Sequence, residues 1–138
     1  MVELSDNHPK GVRVFTSADG ITIYVGKNAE ANDILSLETA EPQEWWMHVM
    51  SESGSHVVVR GLHLILPLET KLDAAHLAVY YSKARNATRA VVTVSQAKYV
   101  TKRFGQPPGQ VLVSNREEFQ IRIEQKRLER LLGRSLEN

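Results

Sequence analysis

The sequence predicts an α+β fold: a single compact domain with a largely antiparallel sheet, one main helix, a short helix and a C-terminal helix. Three observations carry this prediction. A length of 138 residues with 42% hydrophobic content suffices for one core and not for two ordinary domains. Short β-favouring runs are interleaved with stretches of helical period, and turn formers separate neighbouring runs closely enough for hairpins. No low-complexity tract, heptad run or internal repeat interrupts the pattern.

Residues 1–11 are polar and read as a disordered N-terminus, 12–123 as the domain, and 124–138 as a C-terminal helix and tail. Within the domain, 12–15 and 21–25 predict a hairpin that turns at Asp19-Gly20. Asn28 is placed to cap a short helix over about 29–37, closed by Glu41-Pro42. Residues 45–49 and 56–60 predict two further strands, joined by the turn-rich Ser51-Glu52-Ser53-Gly54-Ser55. The main helix is predicted over about 68–85, because Leu68, Leu72, Ala75 and Val79 recur at helical spacing on one face. Lys83 and Arg85 then fall in its last turn, where cations complement the helix dipole.

Residues 90–94 and 110–113 have buried-strand composition. Between them lie a basic strand around Tyr99 and the Pro107-Pro108-Gly109 turn. Phe119, Ile121 and Ile123 alternate as on a strand with one buried face, and Leu128, Leu131 and Leu132 predict the terminal helix, with Gly133 as its stop.

Composition narrows the function classes. Cysteine is absent, which excludes disulfides, thiolate metal sites and a cysteine nucleophile, and suits a reducing compartment. The first ten residues have the wrong chemistry for a signal peptide, and no run approaches the 18 or so apolar residues of a membrane span, so a cytoplasmic protein without a membrane partner is expected. The net charge of +1 conceals a segregation: residues 1–73 hold 5 Lys/Arg against 11 Asp/Glu. No acid occurs from Ala74 to Arg116, where Lys83, Arg85, Arg89, Lys98, Lys102, Arg103 and Arg116 stand, while the last 22 residues balance at 5 and 5. Such a stretch either is simply solvated or builds a local positive field that attracts phosphates.

Catalytic motifs fail on spacing. Gly20 to Gly26-Lys27 is one residue too long for a nucleotide P-loop, and Asn28 stands where the metal-binding hydroxyl belongs. Ser55 and His56 are sequence neighbours in an extended segment and therefore face opposite ways, which no Ser–His pair tolerates. His48 and His56, with His63 or His76, lack a metal-ligand spacing. No catalytic residue, metal or cofactor is expected, and an accessory hydrolase using His48 and His56 ranks last. Planar and basic side chains of the kind RNA sites use remain, with Trp45, Trp46, His48, Tyr80, Tyr81 and Tyr99 as candidate stacking platforms. Trp45 and Trp46 must point to opposite faces of their strand, so one of them belongs to the core.

Several ordered motifs run through these elements: Ser17-Ala18-Asp19-Gly20; Val25-Gly26-Lys27-Asn28 with Asn32-Asp33; Glu44-Trp45-Trp46-Met47-His48; and Gly54-Ser55-His56-Val57-Val58-Val59-Arg60. Ala74-Ala75, Tyr80-Tyr81-Ser82-Lys83-Ala84-Arg85, Tyr99-Val100-Thr101-Lys102 and Pro108-Gly109-Gln110-Val111 continue the series. Together they resemble the NFACT-R domain, which sits at the end of the large RqcH/NEMF ribosome-quality-control proteins. The resemblance implies RNA binding without catalysis, in ribosome quality control or tRNA metabolism. It covers about residues 12–123 and not the other parts of those proteins, so tail synthesis is not implied. Lys27 replaces the family's usual arginine, Glu44 its aspartate, and Val94-Ser95 a Tyr-Thr pair.

Charge segregation and resemblance together point to tRNA or ribosomal RNA, with the ribosome as the larger partner. Phosphate contacts are expected from Lys27, Arg60, Arg85, Lys98, Lys102 and Arg103, and base or ribose contacts from Asn28, Trp46, His48, Ser55 and His56. Structural roles compete at three of these: Asn28 as helix cap, Ser55 as turn former and Trp46 as core. Arg89 and Arg116 are expected to be bystanders. Two other readings are carried forward, a protein partner docked on the leucine stripe within 124–136 and general DNA binding.

Overall fold

The structure, a computed structural model, describes residues 9–136. A hairpin opens the fold, β1 (Val12–Thr16) with β2 (Thr22–Gly26), paired from Val12↔Gly26 to Thr16↔Thr22. Gly20 holds the positive φ of 79° that its turn demands. Helix α1 (Ala29–Ile34) runs into a π-helical turn, Leu35–Thr39, followed by β3 (Trp45–Val49) and β4 (Val57–Val59). Helix α2 (Leu68–Tyr80) leads to β5 (Arg89–Gln96), and the short β6 (Val100–Thr101) and β7 (Leu112–Val113) pair with each other. β8 (Glu117–Arg122) and helix α3 (Gln125–Leu132) complete the chain. The main sheet has the order β1-β2-β4-β3-β5-β8, antiparallel throughout, which bears out the α+β prediction.

Both faces of the sheet are covered, which explains the uninterrupted Val57-Val58-Val59 run. Successive strand residues face opposite sides. Val57 and Val59, with Ile23, Val25, Met47, Val49, Val92 and Val94, meet Ala74, Ala75, Leu77 and Ala78 of α2. Val58 joins Trp46, Val12, Leu35 and Val100 in a smaller core beneath α1 and the β6–β7 ribbon. Of the two tryptophans, Trp46 is the core residue, 2% exposed, whereas Trp45 is half-buried on the α2 side.

Several predicted elements differ from those observed. Helix α2 ends at Tyr80, not near 85, because the following segment pairs with the β3–β4 linker instead: Ser55 N–H donates to Tyr81 O (2.9 Å), Lys83 N–H to Ser53 O (2.9 Å), and Gly54 bridges Ser82. A Cβ on Gly54 would lie 2.6 Å from that of Ser82, so glycine permits this approach. Lys83 and Arg85 therefore lie beyond the helix, although Arg85 Nε–H still donates to its last carbonyl, Tyr80 O (2.9 Å). The predicted face of α2 packs into the core at Leu72, Ala75 and Val79, but Leu68 is exposed, and Thr70, Asp73 and His76 are buried as well. Burial extends round the helix because α3 and the β1–β2 turn cover the side away from the sheet. The basic strand around Tyr99 is a 3₁₀ turn, Ala97–Tyr99, followed by two strand residues. The short helix is α-helical only to Ile34. Of the N-terminal 1–11, residues 1–8 lie outside the described residues, and Gly11 is tied to the fold by Lys27 N–H donating to its carbonyl (2.8 Å).

The leucine stripe of α3 is not free for a partner. Leu128 and Leu131 pack inward, and the helix is riveted to α2 by charge. Arg127 (2.7 Å) and Arg130 (2.6 Å) both reach Asp73 Oδ1, and Arg127 also reaches Glu69 (2.8 Å). Asp73 is wholly buried, and burial alone would raise its pKa. The two guanidinium groups and the Ala18 N–H at 2.8 Å outweigh that cost and hold it below the usual carboxylate range. Gly133, at φ 71°, closes α3 as predicted.

Candidate nucleic-acid interface

A cleft of about 1030 Å³ opens on the α1 side of the sheet. Its lining includes Lys27, Asn28, Trp46, His48, Ser55 and His56, so six predicted site residues from three separate segments meet there. The floor is a cluster of rings: His48 lies edge-on to His56 with centroids 5.4 Å apart, and Trp46 contacts both at 6.1 and 5.3 Å. β3 supplies Trp46 and His48 from alternate positions on one face of the sheet.

Hydrogen bonds settle the chemistry of this floor. Trp46 Nε1–H donates to Ser36 Oγ (2.8 Å), and His56 Nε2 lies 3.1 Å from Gly109 O, an acceptor only. Nε2 must therefore carry the proton, and Nδ1 accepts from the Ser36 hydroxyl (2.7 Å). With both nitrogens engaged, His56 is neutral; burial, with the neighbouring His48, pushes its pKa down to about 4. Burial also lowers the pKa of His48. His56 is thus a structural tie, and His48 remains the ring with an accessible edge.

Other predicted residues prove to be ties as well. Asn28 Oδ1 accepts from Ala31 N–H (2.8 Å) and caps α1. Asn32 Oδ1 accepts from His56 N–H (3.0 Å), and a Cβ on Gly26 would collide with that amide, which accounts for the Gly26…Asn32 motif. Lys102 Nζ donates to Asp33 Oδ2 (2.9 Å), Pro107 O (2.6 Å) and Gln110 O (2.9 Å). Arg60 pairs with Glu44 at 2.5 Å and lies over the Tyr24 ring. Both cations hold the fold in this state. Ser17 and Asp19 clamp the first hairpin onto Thr70 of α2, each at 2.7 Å.

Lys98 and Arg103 are not among the residues that line the cleft. Lys98 contacts Gln43 (3.3 Å), next to the Trp45 end of β3, whereas the cleft is at the Val49 end. Arg103 sits in the β6–β7 loop, its N–H donating to Gln106 Oε1 (2.8 Å). Arg116, expected to be a bystander, lines the cleft.

The cleft continues into a second concavity lined by Arg13, Lys27, Ser53, Ser55, Tyr80, Tyr81, Lys83 and Arg85. Among the described residues, no Asp or Glu lines it. Arg13 lies over Tyr81 (4.5 Å) and Arg85 over Tyr80 (4.3 Å), while the two tyrosine rings meet edge to face at 4.9 Å. Arg13 and Lys83 were not among the expected contacts. Lys83 was legible within the Tyr80–Arg85 motif, but Arg13 reaches the site only through pairing of the distant first hairpin.

Comparison with known proteins places this geometry. The family described as the NFACT protein RNA binding domain matches residues 11–115. The chain belongs to the NFACT RNA-binding domain family. It is 35% identical over 103 residues to the Rqc2 homolog RqcH of Bacillus subtilis (strain 168), a match covering 74% of this chain and 18% of that protein. With RqcH of Streptococcus suis (strain 05ZYH33) it shares 38% identity over 108 residues, covering 78% and 19%. The chain thus spans about a fifth of the length of these curated relatives. A solved structure of the C-terminal part of the fibronectin/fibrinogen-binding protein from Streptococcus suis superposes with a TM-score of 0.83 at 32% identity, covering 91% of this chain and 50% of that one. Among the NFACT motifs, those of the first half mainly assemble the cleft, whereas the Tyr80–Arg85 motif presents its free charge. No helix among the described residues is long and apolar enough to cross a membrane.

Proposed function

We propose that the double cleft binds structured RNA, tRNA or ribosomal RNA, by its phosphate backbone, and that this NFACT module acts without catalysis in ribosome quality control or tRNA metabolism. One observation carries the reading: Arg13, Lys27, Lys83 and Arg85 converge around two tyrosine rings with no carboxylate among the described lining residues. Cations without an internal counter-charge attract phosphates and release their counterions on binding. Lys27, Lys83 and Arg85 would take phosphates, and the accessible edge of His48 with Tyr80 and Tyr81 would meet ribose or base. Arg60 and Lys102 act indirectly, by holding β4 and the β6–β7 loop in place.

The test is the triple variant K27A/K83A/R85A, titrated with tRNA across a salt series. Affinity should fall at every salt concentration, and the slope of log K against log salt should shallow by roughly 2 to 3, about one per lost phosphate contact. An unchanged slope would remove the cleft from consideration.

A further inference from the structure

Phe104 is completely exposed, at 103%, and belongs to none of the roles above. We infer that it is a base-stacking tip, which takes an unpaired nucleobase of the RNA seated in the neighbouring cleft; this rests on the RNA reading proposed above. Three structural features support it.

The tip is preformed. Gln106 N–H donates to Arg103 O (3.1 Å), closing a turn in which Phe104 and Gly105 are the central residues. Gly105 has φ 89°, as the third position of a type II turn requires. Arg103 N–H returns to the Gln106 side chain and braces the turn from within.

The base of the loop is fastened to the rest of the domain. Lys102 binds Asp33 and two carbonyls of its own loop, Gly109 N–H donates to Asp33 Oδ1 (3.1 Å), and Gly109 O accepts from His56. A ring held outward on such a support loses little conformational freedom when a planar partner stacks on it.

The chemistry and place also fit a base. The descending arm of the loop, including Gln106 and Pro108 to Gln110, is a wall of the cleft. Arg103, the residue before the ring, is exposed and can meet the phosphate of the nucleotide whose base stacks. An exposed phenylalanine beside a cation suits base stacking, which needs a π-face and tolerates any sequence.

The experiment compares a labelled RNA hairpin carrying an unpaired loop with a fully paired RNA duplex of equal length, over a salt series. Wild type, F104A, F104W and K27A/K83A/R85A are titrated with each. F104A should weaken hairpin binding by roughly five- to hundredfold, the range of one lost base stack, while duplex affinity and the salt slope stay at wild-type values. F104W should retain hairpin binding. If F104A binds both RNAs as wild type does while the triple variant fails, the stacking tip is wrong and the cleft reading stands. Equal weakening of both RNAs would also overturn stacking. If wild type binds neither RNA, both proposals fall.

Discussion

The α2–α3 junction and the cleft each gather several basic side chains, yet they use the charge in opposite ways. At the junction Arg127 and Arg130 share the buried Asp73, with Glu69 and Glu124 close to Arg127. In the second concavity, Arg13 and Arg85 face the tyrosine rings, and they share the space with Lys27 and Lys83 and with no described acid. A charge whose counter-charge lies in the same fold contributes to stability. One without an internal partner keeps its attraction for a ligand. The same distinction divides Arg60 and Lys102, bound to Glu44 and Asp33, from Lys27 and Lys83.

The strongest way to break the comparison is to remove the acid at the junction. Asp73→Ala leaves two guanidinium groups without their shared partner and orphans the Ala18 N–H, and should cost about 3–5 kcal/mol of folding stability in urea denaturation. The folded fraction should bind RNA as wild type does. A stable D73A protein with impaired RNA binding would reverse the assignment of the two regions.

Acid should expose the cleft floor. His56 is neutral when folded, with a pKa near 4 against an ordinary 6.5, so between those values the unfolded chain binds the extra proton. Stability contributed by this site is therefore full above about pH 6.5 and declines as the pH falls towards 4, by roughly 3 kcal/mol in all. His76 shifts in the same direction, because burial disfavours its charged form and Arg127 lies nearby; its Nδ1 donates to Leu72 O (2.7 Å) and its Nε2 accepts from Glu124 N–H (3.0 Å). Unfolding free energy measured from pH 7 to 4 should show this slope, and His56→Gln should flatten it. The smallest effect is expected at Lys98, exposed and remote from the cleft: K98A should change tRNA affinity less than about twofold, whereas the triple cleft variant loses much more.

Much of the architecture was readable from local pattern. β-favouring runs placed β3 and β5, alternation placed β8, Asp19-Gly20 marked the first turn, Asn28 the cap of α1, and Gly133 the end of α3. Helix α2 was misread because its surroundings, not its periodicity, decide its burial: α3 and the hairpin turn offer Thr70, Asp73 and His76 polar partners on the face that spacing assigned to solvent. The site was legible as a set of segments but not as a set of roles. Lys102 and Asp33 are 69 residues apart in the chain, and Arg60 and Glu44 16, so no local signal shows that these cations are already neutralised.

By itself, then, the sequence determined the strands, the turns, the family and the presence of an acid-free basic stretch, because period, turn chemistry and charge composition are local properties. Only the tertiary structure decided which cations are available. An ion pair depends on distance in space, and folding brings Asp33, Glu44 and Asp73 to some basic groups while leaving Lys27, Lys83 and Arg85 beside a groove without them. It also carried Arg13 from the first hairpin to the Tyr81 ring, and lifted Phe104 into solvent on a loop pinned from behind.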